Sequence, residues 1–233
     1  YDTLGRVTAT LLDSEVGSPA LATSTEYLTG FRTKVLNGRG HQTITSFQAF
    51  DSPDEAAPRK IEEPLGRTTD ISRDVFGRAL SISRALAPGN VLDRQYVYDV
   101  NGRLCKQIEP ETGSTIYGYD AVGNLSYTAA GHSRPGVQLA DCAADRTYVE
   151  VTDVSRNVSR HYDSMHRLVY LVHPDGDGNQ HWTYTPDGLP ATVRTWNNFG
   201  ATHFDNAYTY NTRRLLELET VSQPGFYTWT LDY

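Results

Sequence analysis

The sequence predicts an all-β protein of antiparallel β-hairpin repeats stacked into a curved, twisted sheet. Three observations lead to this prediction. A short signature of an aromatic residue, Asp, two spacers and Gly recurs along the chain at intervals in the low twenties. Corners rich in Pro and Gly separate the copies, and 15 Tyr, 19 Gly and 11 Pro are typical of many short strands joined by turns. A regular period of this length indicates units that bury their apolar faces by stacking on their neighbours.

Two adjacent copies of the signature lie in the segment Tyr96–Gly131. In the first copy Tyr96 and Tyr98 are two residues apart, so they project from the same face of an extended strand. The dipeptide Asn101-Gly102 predicts a tight hairpin turn, because both residue types tolerate a positive φ. The carboxylate of Asp99 can accept hydrogen bonds from backbone N–H groups beyond the turn. Each copy is therefore predicted to be one β-hairpin.

Further full or degraded copies extend over nearly the whole chain. A degenerate copy is predicted at Phe50-Asp51. Where the turn glycine is missing, His166 and Arg213 are expected to adopt a positive φ or a different turn type. The tyrosines of successive copies are expected to stack in ladders across neighbouring hairpins. The signature residues are Tyr1, Asp2, Gly5, Arg6, Asp74, Gly77, Arg78, Tyr98, Asp99, Gly102, Arg103, Tyr119, Asp120, Gly123, Tyr162, Asp163, Arg167, Tyr184, Gly188 and Tyr210.

These residues resemble the consensus of the RHS/YD-repeat family, an aromatic-x-Tyr-Asp-x-x-Gly-Arg-Leu unit with a Pro-containing corner. Members of that family include bacterial polymorphic toxins, the C component of insecticidal toxin complexes and animal teneurins. The resemblance implies a long β-sheet that spirals into a hollow shell. It also implies that the parent protein encloses a separate C-terminal cargo domain or is displayed at a cell surface.

The domain prediction is a single YD-repeat β-sheet domain over residues 1–233, with a long corner at 52–64 and an insertion at 132–146. The segment 140–145 of the insertion is expected to form a short helical turn or a loop. The chain begins and ends within copies of the signature, so we expect it to be an excised piece of a longer protein. No segment of the kind that closes the family's shell is present in the sequence.

Composition excludes several classes of function. The net charge of −7 argues against a nucleic-acid partner, which would require a basic face. No apolar run approaches the length of a membrane-spanning helix. Cys105 and Cys142 are too few for a disulfide framework. They could pair if the insertion folds back, but two buried free thiols are the favoured interpretation.

Three groups of residues are candidate sites of chemistry. Asp175-Gly176-Asp177 resembles the start of a calcium loop, but a Gly-rich hairpin tip is favoured, because Gln180 stands where such a loop requires Gly. Glu62-Glu63 could serve a glycosidase only if their carboxylates faced one another. The histidines His161, His166, His173 and His181 lack the paired spacing of a zinc site. No metal, cofactor or catalytic residue is therefore predicted.

The sequence favours a structural function: a shell segment of a secreted RHS-type toxin or surface protein, without catalysis of its own. The predicted partners are the remainder of the parent shell and its cargo domain, with self-association through open sheet edges. The predicted location is secreted or at the cell surface, with a bacterial parent protein. The alternative is a carbohydrate- or protein-binding module at a cell surface.

Overall fold

The all-β prediction is confirmed. The computed structural model describes residues 1–12, 21–49, 53–87, 89–132, 142–151, 154–197 and 202–233. Within these residues the chain forms eighteen strands of one antiparallel sheet, one α-helix and two short 3₁₀ turns. No helix among the described residues has the length and apolar character needed to cross a membrane.

The chain divides into two compact units, and each is described by itself. The first consists of Tyr1–Tyr96 with Ile108–Glu111, and the second of Val97–Gln107 with Thr112–Tyr233. The first unit contains most of β1 to β8, and each of these strands pairs antiparallel with the next in sequence. Their bounds are β1 Ala9–Leu12, β2 Leu21–Leu28, β3 Arg32–Leu36, β4 Gln42–Ala49, β5 Pro53–Glu62, β6 Thr68–Arg73, β7 Ala79–Ala87 and β8 Asn90–Tyr98.

The second unit is also built from strands in a meander. Strands β10 to β18 again pair with their sequence neighbours. Their bounds are β9 Leu104–Glu109, β10 Gly113–Tyr119, β11 Leu125–His132, β12 Asn157–Tyr162, β13 Leu168–Val172, β14 Asn179–Tyr184, β15 Pro190–Asn197, β16 Thr202–Tyr210, β17 Leu216–Gln223 and β18 Tyr227–Asp232. The helix α1, Cys142–Val151, lies between β11 and β12.

The turns differ in one respect from the sequence prediction. In the turn after β8, the N–H of Gly102 donates to the carbonyl of Asp99 and the N–H of Asp99 to that of Arg103. Gly102 has a φ of 76°, but Asn101 is not among the residues with positive φ. The turn is thus a type I turn followed by one left-handed residue, which needs glycine at a single position.

Residues 53–62, which sequence analysis predicts to be a corner, form strand β5. The two prolines are tolerated because neither occupies a regular ladder position. Pro53 begins the strand, and Pro58 lies at a register shift where Phe47 pairs with Pro58 and Gln48 with Asp54. The predicted degenerate copy at Phe50-Asp51 lies outside the described residues.

The buried core of the second unit lies beneath α1. Val149 of the helix packs with Ile116 and Ala129 of β10 and β11, and all three are essentially inaccessible to solvent. Tyr127 completes the cluster with 4% of its surface exposed. Most of the predicted insertion lies outside the described residues, but its C-terminal part forms a helix longer than the short turn expected from the sequence.

A disulfide joins Cys105 of β9 to Cys142, the first residue of α1, with their Cα atoms 5.9 Å apart. The favoured interpretation of two free thiols is therefore wrong. The number of residues between the two cysteines could not reveal the pair. The bridge depends on the start of α1 lying next to β9.

Candidate functional site

The aspartate of each signature organises the turn that follows it. In the turn after β8, Oδ1 of Asp99 accepts hydrogen bonds from the N–H groups of Asn101 and Arg103, both at 2.9 Å. Oδ2 accepts a bond from Nε of Arg103 at 2.8 Å, and a second guanidinium nitrogen lies at the same distance. One carboxylate thus satisfies two backbone donors and fixes the arginine side chain. The same arrangement occurs at Asp2 with Arg6, Asp74 with Arg78 and Asp163 with Arg167.

The arginine fixed by this aspartate reaches the next hairpin. The guanidinium carbon of Arg103 lies 4.5 Å from the ring centroid of Tyr119, a cation–π contact. The hydroxyl of Tyr119 donates to the carbonyl of Leu104, directly after that arginine, at 2.9 Å. We call this set of contacts the turn-and-stack lock: aspartate to arginine within one hairpin, then arginine and backbone carbonyl to a tyrosine of the next.

The lock recurs in both units. Arg6 lies over Tyr27, and Arg167 lies over Tyr184, at 3.8 and 4.3 Å from the ring centroids. The Tyr27 hydroxyl bonds to the carbonyl of Val7, and that of Tyr184 to the carbonyl of Leu168. For Tyr119 and Tyr184 the stacking partner is thus an arginine of the preceding hairpin. The sequence analysis expected a second tyrosine in that place.

One copy replaces the arginine and changes the contact. Asn124 donates to Oδ2 of Asp120 at 2.8 Å, and its amide nitrogen lies 3.1 Å from Nδ1 of His166. His166 stands at the turn-glycine position of the following copy and has a φ of 61°, so the expected positive φ is confirmed there. Tyr162 still donates to the carbonyl of Leu125. The hydroxyl part of the lock is kept, and a side-chain contact between turns replaces the cation–π contact.

The last turn shows a similar substitution. The residue with positive φ is Arg214, at 64°. The sequence-based expectation, a positive φ or a different turn type, was attached to Arg213, but Arg214 is the residue three positions after Asn211. Its guanidinium group donates to the carbonyl of Asp187 in the preceding turn at 3.0 Å and lies 3.4 Å from that carboxylate. In both copies that lack the turn glycine, the side chain with positive φ therefore contacts the preceding turn.

Sequence analysis missed one turn of the same design. The side-chain oxygen of Asn37 accepts hydrogen bonds from the N–H groups of Arg39 and His41 at 2.9 and 3.0 Å, and Gly40 has a φ of 78°. The spacing of Asn37 and Gly40 was the available signal. The turn at Asn37 does not match the signature, because no Tyr-Asp pair precedes it.

Comparison with known proteins gives the fold an independent test. No protein-family model matches the sequence, and no curated protein matches it. Solved structures do match. "Crystal Structure of TcdB2-TccC3-Cdc42" is 13% identical with a TM-score of 0.57, over 94% of this chain and 11% of that chain. "Crystal Structure of TcdB2-TccC3 without hypervariable C-terminal region" is 10% identical with a TM-score of 0.56, over 97% and 16%. "Structure of Photorhabdus luminescens Tc holotoxin pore, Mutation TccC3-D651A" is 11% identical with a TM-score of 0.55, over 97% and 14%.

The chain shares its fold with a part of each of these Tc toxin structures. This shared fold agrees with the resemblance predicted from the sequence. The chain spans only a small part of each matched chain, between 11% and 16% in these three cases.

The candidate residues from the sequence make separate local contacts. The Glu62 carboxylate pairs with Lys60 at 3.1 Å and that of Glu63 with Arg84 at 3.2 Å, so each acid has its own cation. The Asp175 region is a hairpin connection in which Asp175 accepts the N–H of Asp177. Among the described residues, no group of three His, Cys, Asp or Glu side chains gathers into a metal site.

The turn-and-stack locks shift the pKa values of their aspartates. The hydrogen bond from the Arg167 side chain is the largest cause that lowers the pKa of Asp163. Burial raises the pKa of Asp99, but hydrogen bonds from the backbone and side chain of Arg103 outweigh it, so the net pKa is lowered. The folded state therefore holds these carboxylates ionised at a lower pH than the unfolded chain does.

We expect acid to weaken the fold through these groups. Because the folded-state pKa is lowered, the stabilisation is complete above the unfolded value of about 4 and is lost as the pH falls through the folded value. Urea midpoints should thus show no loss from these aspartates between pH 7 and 5, then decrease below about pH 4. The Asp163→Asn variant should show a smaller decrease over the acid range. An acid response identical to that of the native chain would contradict this explanation.

Proposed function

We propose that this chain is a wall segment of a hollow protein shell that encloses a separate cargo domain, and that the segment has no catalytic activity of its own. The observation that carries the proposal is the turn-and-stack lock. It joins one hairpin to the next at Arg6 and Tyr27, at Arg103 and Tyr119, and at Arg167 and Tyr184, so its groups bond to one another within the sheet. A contact that repeats along the chain suits an extended wall, whereas a catalytic site requires a single arrangement of reactive groups.

The comparisons support the shell. The matched structures are parts of Tc toxin assemblies, and one of them lacks a hypervariable C-terminal region. A variable part of that kind is a suitable cargo for a repeat-built enclosure. The pairing of Glu62 and Glu63 with separate cations supports the absence of catalysis.

The disulfide supports a location outside the cytoplasm. Such bonds form and persist mainly in oxidising compartments. The bond between Cys105 and Cys142 fits a secreted or surface-exposed parent protein, in agreement with the location predicted from the sequence.

Protease protection of the cargo in the longer parent protein tests the enclosure. Replacing Arg6, Arg103 and Arg167 by Ala removes three locks, so the wall should open more often and the cargo should be cleaved about tenfold faster. A control carries Arg39→Ala and Arg213→Ala, two exposed turn arginines. Cleavage of the cargo at the same rate in native and triple-variant proteins would contradict the role of the locks in closing the wall, and a cargo that is unprotected in the native protein would contradict the enclosure.

Self-association is expected through the C-terminal strand. All six residues of β18 are exposed, including Trp229 and Leu231 at 44% each, and the strand pairs with β17. An exposed strand of alternating apolar residues is a template for a further strand from a second copy. Sedimentation velocity should show a concentration-dependent dimer, and Trp229→Lys should abolish it. A native chain that sediments as a monomer at high concentration would contradict the prediction.

A further inference from the structure

The disulfide of the second unit lies at the wall of an open depression. The depression has a volume of about 480 Å³, and both Cys105 and Cys142 line it. This volume is within the range typical of sites for small molecules. A small molecule can therefore come into contact with the bond while the chain is folded.

The two sulfur atoms of the bond have different surroundings. Cys105 belongs to strand β9 and is only 5% exposed, and its Sγ lies 3.2 Å from the carbonyl oxygen of Val97. Cys142 is the first residue of α1 and is half-buried. A reagent that enters the depression thus meets Cys142 as the more accessible of the two cysteines.

The direction of attack also favours Cys142. A thiolate displaces one sulfur of a disulfide from the other, and it must approach along the line of the bond, opposite the sulfur that leaves. Attack on Cys105 would have to come from the side of the sheet, where Val97 and the strand itself close the approach. Attack on Cys142 comes from the side of the helix and the depression.

The charges of the depression suit an anionic thiol. Arg103 and Arg146 line it together with Asp99, so two cations face one carboxylate. Positive charge near a disulfide attracts a thiolate and the carboxylates that a thiol peptide carries. We propose that the sulfur of Cys142 is a modification site at which a small anionic thiol of the glutathione class forms a mixed disulfide. This site is independent of the proposed shell function.

The exchange balances in two steps. The thiolate forms a bond to Sγ of Cys142, and the bond between the cysteines breaks with its electron pair on Sγ of Cys105. Cys105 takes a proton from water, and its S–H can donate to the carbonyl of Val97. A second small thiol then attacks the sulfur of the first and releases Cys142 as a thiol. Two small thiols are thereby oxidised to one disulfide, and the protein disulfide is reduced by two electrons.

Opening the bond frees the beginning of α1. The helix has 10 residues, fewer than the roughly 12–15 that an isolated helix needs for stability in water. The packing of Tyr148 and Val149 lies near its other end. The strands keep the hydrogen bonds of their own pairing. Thiol exchange at Cys142 therefore loosens the helix locally while the sheet remains folded.

Incubation of the folded 233-residue chain with glutathione, without denaturant, tests the site. Acid quenching and peptide mass spectrometry should find the adduct on Cys142 at least about tenfold more often than on Cys105. Amide hydrogen exchange should become faster in α1 and stay unchanged in β14 to β17. Relative to their rates with a small reference disulfide, glutathione should react faster than the cationic thiol cysteamine.

Two phenylalanine variants test access through the depression. Ala143 is exposed and lines the depression, so Ala143→Phe should fill it and slow adduct formation at least about tenfold. Thr147 is exposed on the same helix and does not line the depression, so Thr147→Phe should react as the native chain does. The Cys105→Ala/Cys142→Ala chain should form no adduct, and hydrogen exchange in its α1 should not respond to glutathione.

Four results would overturn the proposal. They are an adduct mainly on Cys105, no adduct on the folded native chain, equal rates for the two phenylalanine variants, and faster reaction of cysteamine than of glutathione on the normalised scale. Loss of amide protection in β14 to β17 together with α1 would contradict the local loosening of the helix. If Ala143→Phe does not fold, the position of the adduct on the native chain still decides the proposal.

Discussion

Replacing Cys105 and Cys142 by Ala is expected to lower the free energy of unfolding by about 4 kcal/mol. The two cysteines are 37 residues apart, so the disulfide closes a long loop in the unfolded chain and removes much of its conformational entropy. The bond also holds the start of α1 against β9. Loss of the bond should therefore expose the core beneath the helix, where Val149 is buried.

Urea unfolding with and without reductant measures this effect. The native chain should unfold at a lower urea concentration when dithiothreitol is present, whereas the Cys105→Ala/Cys142→Ala variant should not respond to the reductant. Hydrogen exchange of the backbone amides of α1 should be faster in the native chain with dithiothreitol and in the variant than in the oxidised native chain. Equal midpoints for native and variant chains under oxidising conditions would contradict the predicted contribution of the bond.

Gly118→Ala is expected to destabilise the second unit by about 3 kcal/mol. Gly118 of β10 pairs directly with Tyr127 of β11, and the tyrosine ring lies over the glycine. A methyl group at position 118 would overlap Cε1 of that ring. Ile116 and Val149 enclose the ring in the core, so it has little room to move aside.

A double-mutant cycle identifies the ring as the obstacle. Tyr127→Ala alone should cost about 3–5 kcal/mol, because it empties a buried aromatic site. Adding Gly118→Ala to that variant should cost little more, since the colliding ring is then absent. If Gly118→Ala costs as much in the Tyr127→Ala chain as in the native chain, backbone preference and not the ring is responsible.

The hairpins were predictable because their cause is local. An Asp that bonds to the backbone two and four residues later, followed by a left-handed glycine, fixes a turn within five residues, as at Asp99 and Gly102. Strand β5 was not predicted, because Pro58 disfavours a strand. The register shift that accommodates this proline depends on the pairing of β5 with β4.

The contacts between hairpins were less predictable, since they depend on register. The tyrosines of the signature were expected to meet one another, but the described contacts of Tyr119 are with Arg103 and the carbonyl of Leu104. The disulfide and the Gly118–Tyr127 contact likewise require knowledge of which strands lie side by side.

The turn-and-stack lock has a direction along the chain. In each described case the arginine precedes the tyrosine that it contacts, as with Arg6 and Tyr27, Arg103 and Tyr119. A ribosome releases the N-terminal part of a chain first. Each tyrosine is thus synthesised after the arginine and the backbone carbonyl that it contacts. A completed hairpin can therefore act as a template for the hairpin that follows. Assembly of the sheet would then proceed vectorially during translation, without waiting for the C-terminal residues.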